Sequence, residues 1–216
     1  MQFSLMTNYD FKTRSQVHTA RKLWHSVGVL MIIIIYHNVN RSTALQLMSL
    51  ATALFVIMDL LRQQLPQLNK LLITVFHPIM RDHEKINLAG TTYLLLGSLV
   101  IMILFPQSIV ILSLLFLGFA DPIASYVGIL YGKDKILGNK SLQGTFAAFV
   151  CCSVIATLYY FFHNMMTERL LVVGVISGLI GALAELIPIG KIDDNFSFPI
   201  VSASCLWGLF YLFGGF

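Results

Sequence analysis

Residues Gln107 to Tyr131 read QSIVILSLLFLGFADPIASYVGILY. Asp121 is the one charged residue in that run, and Ile109 to Leu117 is apolar on every side of any regular structure. A barrel strand would alternate in polarity over about 10 residues, whereas a uniform run of this length has the roughly 20 apolar residues that a membrane-crossing helix needs. The rest of the chain has the same character. Of its 216 residues 57% are hydrophobic and 11% charged, and the mean hydropathy is +0.80. A water-soluble domain carries about a quarter charged residues, so soluble globular folds are excluded, and disorder with them.

The expected fold is all-α, a polytopic integral membrane protein. Apolar runs bounded by polar or Gly/Pro clusters predict seven spans: Leu23 to His37, Ser42 to Leu61, Leu88 to Phe105, Gln107 to Tyr131, Leu142 to Phe162, Leu170 to Ile187 and Pro199 to Phe213. Residues 1–22 read as a basic tail and 23–216 as one transmembrane catalytic domain. With loops assigned alternately to the two faces, one face collects Lys12, Arg14, Arg21, Lys22, Arg62, Lys70, Arg81, Lys85, Lys133, Lys135, Lys140 and Lys191. The other face holds only Arg41 and Arg169. The positive-inside rule then puts the N-terminus in the cytoplasm and the C-terminus on the outer side. Eight acidic residues, from Asp59 to Asp194, share the basic face, and Glu168 alone lies opposite. Charged chemistry confined to one side suits an enzyme working at one leaflet better than a transporter with a midplane site. Cys151, Cys152 and Cys205 have no metal-ligand spacing and read as small packing residues.

Three stretches could carry chemistry. Asp121 would lie roughly 15 Å inside its span by helix rise, where a carboxylate is a functional candidate by default. Pro122 removes a backbone donor beside it, and Ser125 and Gly128 share its face. Beyond the span, Lys133, Lys135 and Lys140 lead to Ser141, which reads as the N-cap of the next helix, with Gly144 one turn in. Free N–H groups at a helix start favour anions, so Lys140, Ser141 and Gly144 form a candidate phosphate cradle and Lys133 a nearby cation. The Walker spacing is absent. The sixth span carries a small-residue stripe, Gly174, Gly178 and Gly181, that permits close helix contact and ends at Glu185. Asp193, Asp194 and Asn195 follow. Carboxylates and an amide in this grouping are oxygen donors for a hard divalent cation, so Asp121, Glu185, Asp193, Asp194 and Asn195 are the candidate metal set, with Asp121, Glu185 and Asp194 as catalytic candidates. Arg21 and Lys22 read as headgroup anchors and as further candidates for the nucleotide. Asp59 with Arg62, and Arg81 with Glu84, read as i, i+3 pairs.

The sequence resembles the CTP-dependent lipid kinases: dolichol kinase, phytol kinase and the yeast-type diacylglycerol kinase. The resemblance covers most of the chain, from RKLWH at Arg21 to His25 through MRDHEKINLAGTTYLLLG at Met80 to Gly97. Its strongest blocks are ADPIASYVGILYGK...NKSLQGT, similar to the family's G-D-x-x-A-x-x-x-G...K-S-x-x-G, and ELIPIGKIDDNFSFP, similar to E-x-x-P...D-D-N-x-x-x-P. Ala120 stands where the family usually has Gly. The resemblance implies phosphoryl transfer from CTP to a lipid alcohol such as diacylglycerol or a polyprenol, with Mg²⁺, at a site facing the cytoplasm. The membrane would be a bacterial inner membrane or the endoplasmic reticulum, and no nucleic acid is involved. Two other readings stay open. A phosphatidate cytidylyltransferase also uses CTP and Mg²⁺, but its H-G-G and D-R-x-D signature is missing here; a small transporter or scaffold would fit the spans but not the one-sided charge.

Overall fold

The computed structural model describes residues 19–190 and 192–215. Lys12, Arg14 and the rest of the expected tail up to residue 18 lie outside the described residues, as does Lys191. The helices are α1 Thr19–Asn38, α2 Arg41–Gln64, α3 Pro66–Phe76, α4 Gly90–Leu104, α5 Gln107–Leu115, α6 Asp121–Leu130, α7 Leu142–Phe162, α8 Leu170–Leu186 and α9 Asp194–Phe213. A five-residue π turn, Phe116–Ala120, joins α5 and α6 into one rod.

Six helices are long and apolar enough to cross a membrane, counting Gln107–Leu130 as one. This is an integral membrane protein with six candidate spans. The third expected crossing is α4, which at 15 residues is shorter than the others; Ala89 stays extended before it, and Pro106 follows its cap. Outward faces are apolar: Leu171, Tyr211 and Leu212 are 73%, 79% and 75% exposed, as side chains facing lipid would be. Inside, Leu112, Leu114, Phe116 and Leu117 are fully buried, so the α5–α6 rod is the centre of the bundle.

Several boundaries differ from expectation for local reasons. Helix α1 is already helical at Thr19, the first described residue and ahead of Leu23, and so carries Arg21 and Lys22. The stretch after α2 contains the unforeseen α3, which starts with Pro66 at its first turn, where a missing N–H costs nothing. The loop after α6 is a short antiparallel hairpin, β1 Lys135–Leu137 with β2 Lys140–Ser141, turning at Gly138 with φ +56°. Helix α9 starts at Asp194 instead of Pro199, because the Asp193 side chain accepts a hydrogen bond from Asn195 N at 3.0 Å and caps the helix a turn earlier. Pro199 then sits inside it.

The expected glycine stripe does join two helices. Gly174 faces Thr157, Gly181 faces Cys152, and a methyl on Gly178 would lie 2.9 Å from the Phe149 carbonyl, so α7 and α8 touch backbone to side chain.

Candidate functional site

Helices α1, α4, α7 and α9 begin, and α2, α6 and α8 end, around one cavity of about 820 Å³. That convergence is what an alternating bundle dictates, and it brings distant blocks of sequence together. Asp121 is delivered by the π turn. Pro122 has no N–H for the Gly118 carbonyl one turn back, and Ser26 of α1 replaces it, donating to Gly118 O at 2.7 Å. His25 Nε2 donates to Leu117 O at 3.1 Å, so this nitrogen carries the proton. Gly118 lets α1 approach, since a methyl there would lie 2.9 Å from Val29 Cγ1. The expected seam of Asp121, Ser125 and Gly128 lines the cavity.

Across it, a methyl on Gly144 would lie 2.6 Å from the Ala124 carbonyl, so α6 and α7 cross with their backbones nearly in contact. Ser141 caps α7 as expected, its Oγ accepting from Gly144 N at 3.2 Å. Lys140, at the end of the hairpin, points its ammonium at α8 and α9. Nζ donates to the Glu185 carbonyl and to Glu185 Oε1 at 2.7 Å, with Asp194 Oδ2 at 3.8 Å. Burial works against its charge, but Glu185, Asp194 and Asp121 outweigh that and hold the ammonium above the usual lysine range. Lys140 is therefore the cation among three of the candidate carboxylates.

Two polar groups in the lining are left open. Lys22 Nζ is buried without a hydrogen-bond partner, 5.4 Å from the Tyr126 ring centroid, and Thr145 Oγ1 is buried without one as well. Asp121 is the carboxylate whose charge acts on the Lys22 ammonium, and with no hydrogen bond made its N–H groups are available to a ligand in the cavity.

Of the other candidates, Asn195 lines the same cavity, while Asp193 and Lys133 are not among its lining residues. Asp193 caps α9 and has Oδ2 4.0 Å from Arg81, while Asn195 Nδ2 donates to Gly90 O at 3.1 Å. Lys133 is exposed, and its backbone N–H donates to Gln143. Among the described residues no three His, Cys, Asp or Glu side chains group to hold a metal ion. Asp121 and Asp194 nevertheless line the same cavity, and a nucleotide-borne Mg²⁺ needs only one or two carboxylates beside the phosphates. The residues fit such an ion without forming a cage.

A second charged cluster lines another part of the same cavity. Asp59 and Arg62, 5% and 3% exposed, pair at 2.5 Å, as expected from spacing. Asp59 Oδ2 also accepts from Ala89 N at 2.8 Å and Thr92 Oγ1 at 2.6 Å. Arg62 donates to Asn69 Oδ1 at 3.3 Å and to the carbonyls of Glu84 and Asn87 at 2.8 and 2.6 Å. Glu84 pairs with Arg21 at 2.7 Å instead of resting on Arg81 alone, so Arg21 is tied to the scaffold. Gly90 makes room, since a methyl there would lie 2.6 Å from Arg21 Nη2. Two ionisable residues in an apolar helix were the available signal; their partners are too distant in sequence to be read.

Known proteins resemble the chain over most of its length. It is 33% identical over 159 residues to CTP-dependent diacylglycerol kinase 1 of Schizosaccharomyces pombe, covering 69% of this chain and 73% of that protein. With CTP-dependent diacylglycerol kinase 1 of Saccharomyces cerevisiae the identity is 27% over 214 residues, covering 90% and 73%. With dolichol kinase of Saccharomyces cerevisiae it is 26% over 204 residues, covering 90% of this chain and 37% of that one. No family model and no solved structure matches the chain.

Proposed function

The chain belongs to the family of CTP-dependent lipid kinases, and we propose that it transfers the γ-phosphoryl group of CTP to the hydroxyl of a membrane lipid alcohol, diacylglycerol before a polyprenol. The observation that carries this reading is the meeting of Asp121, Lys140, Ser141, Glu185 and Asp194 in one cavity with the unpartnered Lys22 ammonium. Phosphoryl transfer asks for positioning and neutralisation of charge more than for covalent chemistry, and those are the properties of this residue set.

In this reading the phosphates of CTP lie against Lys22, Thr145 and the start of α7 beside Ser141. Lys140 orients Glu185 and Asp194 and adds positive charge next to the phosphates. Asp194 would hold Mg²⁺, which when bound neutralises negative charge developing on the transferred group. Asp121 accepts the proton of the lipid hydroxyl as its oxygen attacks the γ-phosphorus. The bond from that phosphorus to the bridging oxygen breaks, and CDP leaves with the electron pair.

For topology we favour seven crossings, with α4 as the third, the N-terminus and the cavity on the cytoplasmic side and the C-terminus outside. Support comes from the asymmetry of basic residues, and from Arg41 and Arg169, both at helix ends remote from the cavity. Residues 23–216 then act as one catalytic unit, in a bacterial inner membrane or the endoplasmic reticulum, with CTP arriving from the cytosol. A cysteine at Asp134, in a variant lacking the native cysteines, is expected to stay unmodified by an impermeant thiol reagent added outside intact cells. Modification from outside would invert the topology.

The deciding assay uses purified protein in mixed micelles with Mg²⁺, CTP or ATP labelled at the γ-phosphate, and diacylglycerol, dolichol or phytol. Label from CTP is expected on diacylglycerol. Transfer to none of the alcohols from either nucleotide would overturn the reading, and formation of a CDP-lipid from phosphatidate would favour the cytidylyltransferase alternative.

A further inference from the structure

The cavity has two openings of opposite character. At one, Lys135, Leu137, Gly138 and Asn139 of the hairpin, with Pro188, line the cavity and are also exposed, so polar backbone and the Lys135 ammonium reach water there beside a single large apolar side chain. At the other, the residues that both line the cavity and face outward are Trp24 of α1, Phe55 and Met58 of α2, and Phe76 of α3, at 48%, 43%, 45% and 38% exposure. None of the four carries a charge, and they lie on helices whose outward faces are apolar. Inward from them, Leu72 and Leu94 continue an apolar wall of the same cavity that holds Asp121 and Lys140.

The arrangement of helices explains the second opening. Helix α1 packs mainly on α5 and the π turn and only lightly on α2, while α2 packs mainly on α4 and α3. One bridge between the two groups is a hydrogen bond from Trp24 Nε1 to Thr91 Oγ1 at 3.3 Å. The first turns of α1 and the last turns of α2 therefore stand on opposite sides of the cavity.

From this we infer that the acyl chains of the lipid acceptor enter and leave sideways from the bilayer, between α1 and the corner formed by α2 and α3, while the nucleotide uses the hairpin opening. The identity of the occupant rests on the lipid-kinase reading; the route rests on the two openings. An acyl chain crossing a charged or hydrated rim would lose its apolar surroundings, whereas the Trp24, Phe55, Met58 and Phe76 rim and the Leu72 and Leu94 wall offer it apolar contacts, and the charged residues that also line this part, Asp59 with Arg62 and Arg21 with Glu84, are paired with one another.

The test places the full-length protein in phospholipid nanodiscs containing diacylglycerol with a photoreactive diazirine in one acyl chain. After irradiation, adducts are expected to concentrate on Phe55, Met58 and Phe76 relative to Leu171 and Leu212 on outward faces elsewhere. Met58→Glu is expected to lower that labelling and to raise the KM for a long-chain diacylglycerol by roughly tenfold, because a charge in an apolar mouth is costly to pass. Its KM for CTP should stay unchanged, and a short-chain acceptor should be affected less. Met58→Trp narrows the mouth without adding charge and is expected to act in the same direction, which covers the case that the glutamate variant fails to fold. Adducts spread evenly over all outward faces would overturn the lateral route, whatever the enzyme activity. Concentrated adducts on a protein that phosphorylates no lipid would leave the route standing and remove the kinase reading.

Discussion

Two charged clusters lie within this bundle, and they differ in how completely their groups are paired. Around Arg62 the guanidinium meets Asp59, Asn69 and two backbone carbonyls, and Asp59 in turn accepts from Ala89 and Thr92. Around Lys140 the ammonium is shared between Glu185 and Asp194, and Lys22 and Thr145 keep buried atoms with no partner. A closed network fixes geometry, here the segment from Glu84 to Gly90 that borders the cavity. An open one has room for a ligand's charges. Both clusters are buried and ionic and line one cavity, so what differs between them is the saturation of their hydrogen bonds, the property by which we propose to tell scaffold from site.

If that distinction holds, substitutions in the two clusters should fail in different ways. The largest effect is expected from Asp121→Asn, which keeps the volume and removes the proton acceptor. Transfer should fall by at least about 100-fold, the scale seen when one catalytic group is deleted, with the thermal midpoint little changed. Arg62→Met should do the reverse. It leaves Asp59 buried without its cation, which costs roughly 3–5 kcal/mol, read by thermal unfolding in detergent, while the folded fraction keeps its KM for CTP. A variant at Arg62 that is stable and inactive would contradict the division.

Lys140 joins both behaviours. Lys140→Met is expected to raise the KM for CTP by roughly tenfold or more, as loss of a charge-assisted contact does, and to destabilise the fold by stranding Glu185. Adding Glu185→Gln should recover stability without recovering CTP affinity. The pH dependence has a definite sign. The folded protein holds Lys140 above the ordinary lysine value, so stability from its charge is complete below that value and is lost only as pH rises through the raised one. The stability gap between wild type and Lys140→Met should accordingly stay flat across neutral pH; a gap that closes toward mild alkalinity would place the ammonium elsewhere.

The sequence made legible what depends on period and on single residues. The apolar runs located the long helices, Ser141 announced its cap, Pro122 its disturbance of the preceding turn, and the glycines of α8 their contact with α7. It offered Asp121, Glu185 and Asp194 as one candidate set and Lys140 as part of another, without showing that Lys140 sits among those carboxylates. What stayed hidden depends on partners far apart in the chain. Nothing near Ser26 says that its hydroxyl replaces the donor lost at Pro122, 92 residues from the carbonyl it meets. Nothing near Glu84 says that Arg21 will pair with it. Helix α3 is short, and its buried pair Asn69 and Ile73 is too brief a pattern to distinguish from a loop. Helix α9 starts at Asp194 and not at Pro199 because the Asp193 side chain sets its cap, and Pro199, inside the helix, removes one backbone hydrogen bond without ending it.

The smallest effect is the most discriminating one, at Lys22. Its ammonium is buried with no hydrogen-bond partner, near the Tyr126 ring and within the field of the Asp121 carboxylate. An uncompensated buried polar group destabilises the fold that contains it, by about 1–3 kcal/mol and more for a charged group. A scaffold residue in that condition would be a defect, whereas a ligand-binding residue is in that condition only while the ligand is absent. Lys22→Met keeps the length and the apolar stem and removes the charge. It is therefore expected to leave the thermal midpoint of the ligand-free protein unchanged or slightly raised, and to weaken CTP by roughly tenfold, one ion contact's worth. The stabilisation that saturating CTP gives to the wild type should shrink in the variant by the corresponding amount. Loss of stability in the ligand-free variant, with CTP binding intact, would move Lys22 from the open cluster to the closed one.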